Sequence, residues 1–129
     1  MANPEFHVFA QGPAPVAPYS HIVEVDGWLF VTGQLATGSE GEALPPGIEA
    51  QTRKVMENLK VVLSGVGASL RDVVQARVFL TNFEADYERM NSVYESYFDH
   101  RRLPARTTVG VTHLARGGLV EVDFIARRS

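Results

Sequence analysis

Cysteine is absent from the 129 residues. The chain therefore has no disulfide framework, thiolate zinc site, iron–sulfur cluster or cysteine nucleophile. A surplus of charge of one sign is also missing: 12 Lys+Arg face 15 Asp+Glu, a formal net charge of −3. General nucleic-acid binders carry a basic field that displaces counterions, so this mild acidity argues against a nucleic-acid partner. The pairs Arg101-Arg102 and Arg127-Arg128 are local and read as solvated charge near element ends. No apolar run approaches the ~18 residues of a membrane span, so no membrane partner is expected. Residues 1–20 lack a basic start and an apolar stretch and do not read as a signal peptide. With the missing cysteine, this points to a cytoplasmic protein. Repeats and low-complexity tracts are absent as well.

What is present is ordinary globular usage, 45% hydrophobic and 21% charged. The length predicts one domain over residues 1–129, large enough for a real core. The segment 1–20 holds Pro4, Pro13, Pro15 and Pro18 and reads as extended or looped. Asp26-Gly27 between the apolar runs 21–25 and 28–34 predicts a hairpin. The stretch 36–47, rich in Gly and Ser with Pro45-Pro46, reads as a plain connector. From Ile48 the apolar residues recur at three and four through Val66, which predicts a helix closed by Gly65 and Gly67. Ser69 and Asp72 fit a capped short turn. A strand over 73–80 follows, then a second helix capped by Asn82 and carrying Phe83, Tyr87, Met90, Tyr94, Tyr97 and Phe98. Leu103-Pro104 ends it, and two strands follow over 105–112 and 119–126. The order β-β-α-β-α-β-β is that of an α+β domain with both helices on one face of a sheet.

Strand parity sorts the two faces. Leu29, Val31, Val74, Ala76, Val78, Leu80, Val120, Val122, Phe124 and Ala126 form an apolar set expected under the helices. The opposite set mixes Trp28, Phe30, Phe79, Leu119 and Ile125 with Gln75, Arg77, Glu121 and Asp123. By apolarity, Ala105, Thr107, Val109 and Val111 should join the helix side, which sends Arg106 and Thr108 to the mixed face. That face is too apolar to stand bare in water, so oligomerisation is expected.

The four histidines, His7, His21, His100 and His113, are scattered singly and predict no metal site. Ser64-Gly65-Val66-Gly67 is a helix end and not a phosphate loop, so no cofactor is expected. Arg106 stands apart as a cationic fork within a strand, suited to a carboxylate. Glu121, between Val120 and Val122, is a candidate general base or water-positioning group. Pairing of Arg106 with Glu121 or Asp123 is the structural alternative, and pattern alone leaves both open.

Pro104-Ala105-Arg106-Thr107-Thr108-Val109 followed by Leu119-Val120-Glu121-Val122 resembles the C-terminal signature of the RidA (YjgF) family. Pro18-Tyr19-Ser20, Val31-Thr32-Gly33-Gln34, Met90-Asn91 and Tyr94-Glu95 extend the resemblance along nearly the whole chain. It implies a chorismate-mutase-like α+β fold, with a mixed β-sheet, two helices on one face, and a homotrimer with clefts between subunits. It implies hydrolysis of reactive 2-imino acids, such as 2-iminopropanoate and 2-iminobutanoate, and their enamine tautomers to 2-keto acids and ammonia. That activity pre-empts damage to enzymes that use pyridoxal phosphate. In this chain Arg106 would bind the substrate carboxylate and Glu121 would place the attacking water. Tyr19, Thr32, Thr108 and Asn91 would line the substrate site. Thr108 stands where many members carry Cys, and Gly110 where the archetype is acidic. A non-catalytic ligand-binding or regulatory trimer is the alternative function. Ribonuclease activity is disfavoured by the charge and by the lack of a basic, aromatic-rich stripe.

Overall fold

Asp26 (φ 53°) and Gly27 (φ 80°) turn the chain between β2 (Ile22–Val25) and β3 (Trp28–Gln34). Two consecutive positive φ angles match a tight hairpin turn to the twist of its strands, as the Asp-Gly pair predicts. The structure is a computed structural model that describes residues 3–10, 12–15, 17–38 and 42–129. Ser39, Glu40 and Gly41, at the centre of the predicted connector, lie outside the described residues.

The remaining elements are β1 (Glu5–His7), α1 (Ile48–Ser64), β4 (Val73–Leu80), α2 (Phe83–Glu95), β5 (Ala105–Gly110) and β6 (Val120–Arg127). They form one six-stranded sheet in the order β1-β2-β3-β6-β4-β5. All neighbours are antiparallel except β4 and β5, which α2 joins as a parallel crossover pair. Both helices lie on one face: α1 packs on β3 and β6, and α2 packs on α1 and β4. The fold class is as the sequence predicts, with one strand more. β1 extends an N-terminal segment that reads as loop, because three residues at a sheet edge leave too little alternation to detect.

The core fills the layer between helices and sheet. Val55, Met56, Leu59, Val62 and Leu63 of α1 are fully buried against Leu29, Val122 and Phe124. Each such side chain contributes roughly 1.5–3 kcal/mol by leaving water. Gln51 Nε2 donates to Pro45 O at 3.0 Å, and Asn58 Nδ2 donates to Leu35 O at 3.1 Å and Thr37 O at 2.8 Å. These bonds fasten both ends of the connector to α1. The Ser69–Asp72 cap forms as predicted. Asn82 precedes α2 but makes no side-chain cap bond; Glu84 and Asp86 in the first turn complement the helix dipole instead.

Parity fails at three places. A bulge between Val73 and Gln75 puts Val73 in the core and turns Val74 outward. Leu119 precedes β6 and packs against the core. In β5 the predicted faces are reversed. The parallel register pairs Ala76 with Arg106 and Val78 with Thr108. Ala76 and Val78 are buried under the helices, so Arg106 and Thr108 also face α2, while Val109 is exposed on the open side. The open face otherwise carries Trp28, Phe30, Gln75, Arg77, Phe79, Glu121, Asp123 and Ile125 as predicted.

Candidate active site

The predicted site residues fall into two groups on opposite faces of the sheet. Arg106 sits on β5, an edge strand, beneath α2. Asn91, Tyr94, Glu95, Leu103, Pro104 and Arg106 line a cavity of about 360 Å3 there. The guanidinium carbon lies 4.9 Å from the Tyr94 ring centroid and 6.0 Å from that of Tyr87. No carboxylate pairs with Arg106 among the described residues. The pairing alternative falls because Glu121 and Asp123 lie on the opposite face of the sheet, where Arg77 donates to Asp123 through Nη2 to Oδ2 at 2.6 Å and through Nε to Oδ1 at 3.0 Å. Around Arg106, Asn91 Oδ1, Tyr94 Oη and Thr108 Oγ1 are buried without a hydrogen-bond partner among the described residues. Buried polar atoms are normally paired; beside the Arg106 cation a hydroxyl such as that of Thr108 can donate to a ligand, whereas Asn91 Oδ1 only accepts and suits an N–H. Burial pushes the Tyr94 hydroxyl up to about 12, with the charge of Arg106 opposing in smaller measure, so it stays protonated.

Glu121 lies on the open face, opposite Phe79 of β4. The register of β3 on β6 shifts between Val31 and Gln34, and this bulge brings Gly33 against Glu121. A Cβ on Gly33 would collide with Oε2 and stand 3.0 Å from Cδ. Burial, and then the nearby charge of Asp123, raise the Glu121 pKa above the ordinary 4.5. Tyr19, Ser20, Phe30, Thr32, Gly33 and Arg77 line an adjoining depression of about 650 Å3. The expectation that Arg106 and Glu121 share one face is therefore corrected. Arg106, Thr108 and Asn91 lie on the helix side, and Glu121, Thr32 and Tyr19 on the open side.

A family model described as Endoribonuclease L-PSP matches residues 9–128. The chain belongs to the RidA (YjgF) family. It is 40% identical over 117 residues to a RutC family protein of Pyrococcus abyssi, covering 90% of this chain and 91% of that one. It is 34% identical over 118 residues to a bovine protein named 2-iminobutanoate/2-iminopropanoate deaminase, covering 91% and 85%. The solved structure of RidA from an Antarctic Psychrobacter superposes with a TM-score of 0.88 at 34% identity, covering 95% and 98%.

Among the described residues of this RidA-family chain, one trio of metal-type side chains converges: Glu5, His7 and Glu24. Arg128 already occupies Glu24, through Nε at 2.5 Å and Nη2 at 3.1 Å, and so competes with a cation. His21 is fully buried as a structural residue; its Nδ1 accepts from Phe9 N at 2.9 Å, and its Nε2 lies 2.6 Å from Pro13 O. No helix among the described residues is long and apolar enough to cross a membrane. Sequence reasoning missed Tyr94 and Tyr87 beside Arg106 and Gly33 beneath Glu121. Their only signals were the seven-residue spacing of the tyrosines and the Thr32-Gly33 pair inside a strand.

Proposed function

We propose that this protein hydrolyses small reactive 2-imino acids and their enamine tautomers to 2-oxo acids and ammonia. The observation that carries the reading is the Arg106 guanidinium, without a carboxylate partner among the described residues, in the cavity under α2, with buried, unpartnered Asn91 and Thr108 oxygens on the same side of the sheet. The Arg fork receives the substrate carboxylate in bidentate fashion. A protonated imine is already electrophilic at carbon, so the protein's task is to orient substrate and water. Glu121 accepts a proton from water as its oxygen bonds to that carbon, forming a tetrahedral amino alcohol. The proton passes to the nitrogen, the C–N bond breaks, and ammonia leaves as the hydroxyl gives its proton back to Glu121 and the C=O forms.

One chain cannot present Arg106 and Glu121 to one ligand, because the sheet lies between them. A second copy laid with its open face against the β5 edge supplies Glu121, Thr32 and Tyr19 to the Arg106 pocket of the first. The same docking covers Trp28 and Phe30, both more than 40% exposed in the single chain. Closed rotational symmetry then repeats the contact, and three copies are the arrangement the family resemblance implies. The bovine relative's name supports the reaction. The test is the rate of 2-oxo acid and ammonia release from imines generated by an amino-acid oxidase, with and without the protein. Acceleration over spontaneous hydrolysis is expected. An unchanged rate across several amino acids overturns the reading and favours a ligand-binding role.

A further inference from the structure

Arg106 is held by aromatic rings in place of a carboxylate, and the proposed reaction assigns those rings no task. Tyr87, Asn91 and Tyr94 stand four and three residues apart on α2 and form one stripe over β5. Tyr94 is the nearer ring, and it is itself immobilised. It is 4% exposed, its centroid is 5.0 Å from that of Phe98, and Phe98 meets Phe124 edge-on at 6.5 Å. The Tyr94 ring is therefore anchored to the centre of the sheet. Tyr87 is at the limit of the range and stacks on Phe83 at 4.8 Å.

An arginine fork binds a carboxylate at lower entropic cost when its plane is set before the ligand arrives. A salt bridge would set the plane but neutralise the charge and compete with the ligand. A π face holds the guanidinium and leaves its N–H edge free to donate. We propose that Tyr94 is the positioning residue of Arg106: its ring face orients the guanidinium for the substrate carboxylate. This rests on the reading of Arg106 as the carboxylate site. The working part is the ring and not the hydroxyl, whose oxygen has no partner among the described residues.

The test compares Tyr94→Phe, Tyr94→Leu and wild type by imine hydrolysis, by binding of 2-oxobutanoate as a carboxylate probe, and by NMR of the Arg106 Nε–H. Tyr94→Phe should keep KM within about twofold, whereas Tyr94→Leu should raise KM and the probe Kd roughly 3- to 30-fold, with kcat changed less. In wild type the Arg106 Nε–H should resonate upfield of the exposed Arg101, through the ring current. The shift should survive in Tyr94→Phe and vanish in Tyr94→Leu. If Tyr94→Leu does not fold, the wild-type and Tyr94→Phe resonances still decide the matter. An unshifted Arg106 signal, or Tyr94→Leu with wild-type KM and Kd, overturns the assignment. A loss in Tyr94→Phe equal to that in Tyr94→Leu moves the role to the hydroxyl and overturns it too. Failure of the proposed reaction is separate: wild type then neither hydrolyses imines nor binds 2-oxobutanoate, whatever the Arg106 resonance shows.

Discussion

Gly33→Ala adds a single methyl group at the point where Glu121 leans across the β3 bulge. Gly33 has no positive φ, so backbone strain is not the issue; close approach is. The new Cβ would overlap Oε2 and stand 3.0 Å from Cδ and 3.2 Å from Cγ. What must yield is the end of a flexible side chain. Driving it to another or an off-ideal rotamer costs about 0.5–1.5 kcal/mol, so the melting temperature should fall by only a few degrees. Catalysis should suffer far more, because in the proposed mechanism the displaced carboxylate directs water. General-base contributions are typically 10²–10⁴-fold, and Gly33→Ala should lose much of that in kcat, roughly a hundredfold, with KM little changed. The assay is initial-rate 2-oxo acid release, with circular dichroism as the folding control. A cycle with Glu121→Ala isolates the cause: once the carboxylate is gone, the methyl has nothing to displace, and Gly33→Ala should add no further loss. Wild-type turnover in Gly33→Ala, or losses that simply multiply in the double variant, would refute the coupling.

Arg106→Lys should fold yet lose most hydrolysis, because a point charge replaces the fork; near-wild-type kcat/KM would remove Arg106 from its role. Glu121 must be ionised to accept a proton from water, and burial and Asp123 raise its pKa. Activity should therefore fall on acidification at a pH above the ordinary carboxylate value, and Asp123→Asn should move that limb downward in a pH–rate profile. For stability the sign is opposite. A raised folded pKa contributes stability below the unfolded pKa that is lost as pH rises through the folded one. Glu121→Gln should thus gain on wild type in melting temperature as pH rises through that window. Thr108→Val removes an unpartnered hydroxyl at nearly constant volume, and turnover should stay within roughly tenfold, about 1.4 kcal/mol of barrier. A loss of several orders of magnitude in the folded variant would make the hydroxyl essential.

The helices and the hairpin are legible because their signals are local: the three-four recurrence from Ile48 and the Asp26-Gly27 turn act within a few residues. Arg106 and Glu121 stand out as charges inside apolar strands, so their identity is legible too. Their placement is not. Parity orders residues within one strand, but the side a strand presents depends on its register with its neighbour, here that of β5 on β4. Apolarity misassigns this strand because Arg106 and Thr108 put polar groups on the helix side, where core residues are expected. Bulges at Val74 and at Thr32-Gly33 break the period for the same reason: an inserted residue leaves no mark in composition. Tyr94 is hidden in a helix whose aromatic run reads as ordinary core.

The most direct test of the central claim, that Arg106 and Glu121 meet only between copies of the chain, mixes two impaired variants. Arg106→Lys and Glu121→Gln are refolded separately and then together in equal amounts. In a closed ring each site needs an intact Arg106 from one copy and an intact Glu121 from its neighbour, so random mixing restores about a quarter of wild-type activity. Activity no higher than the average of the two separate variants would contradict a shared site, and with it the account of how this protein works.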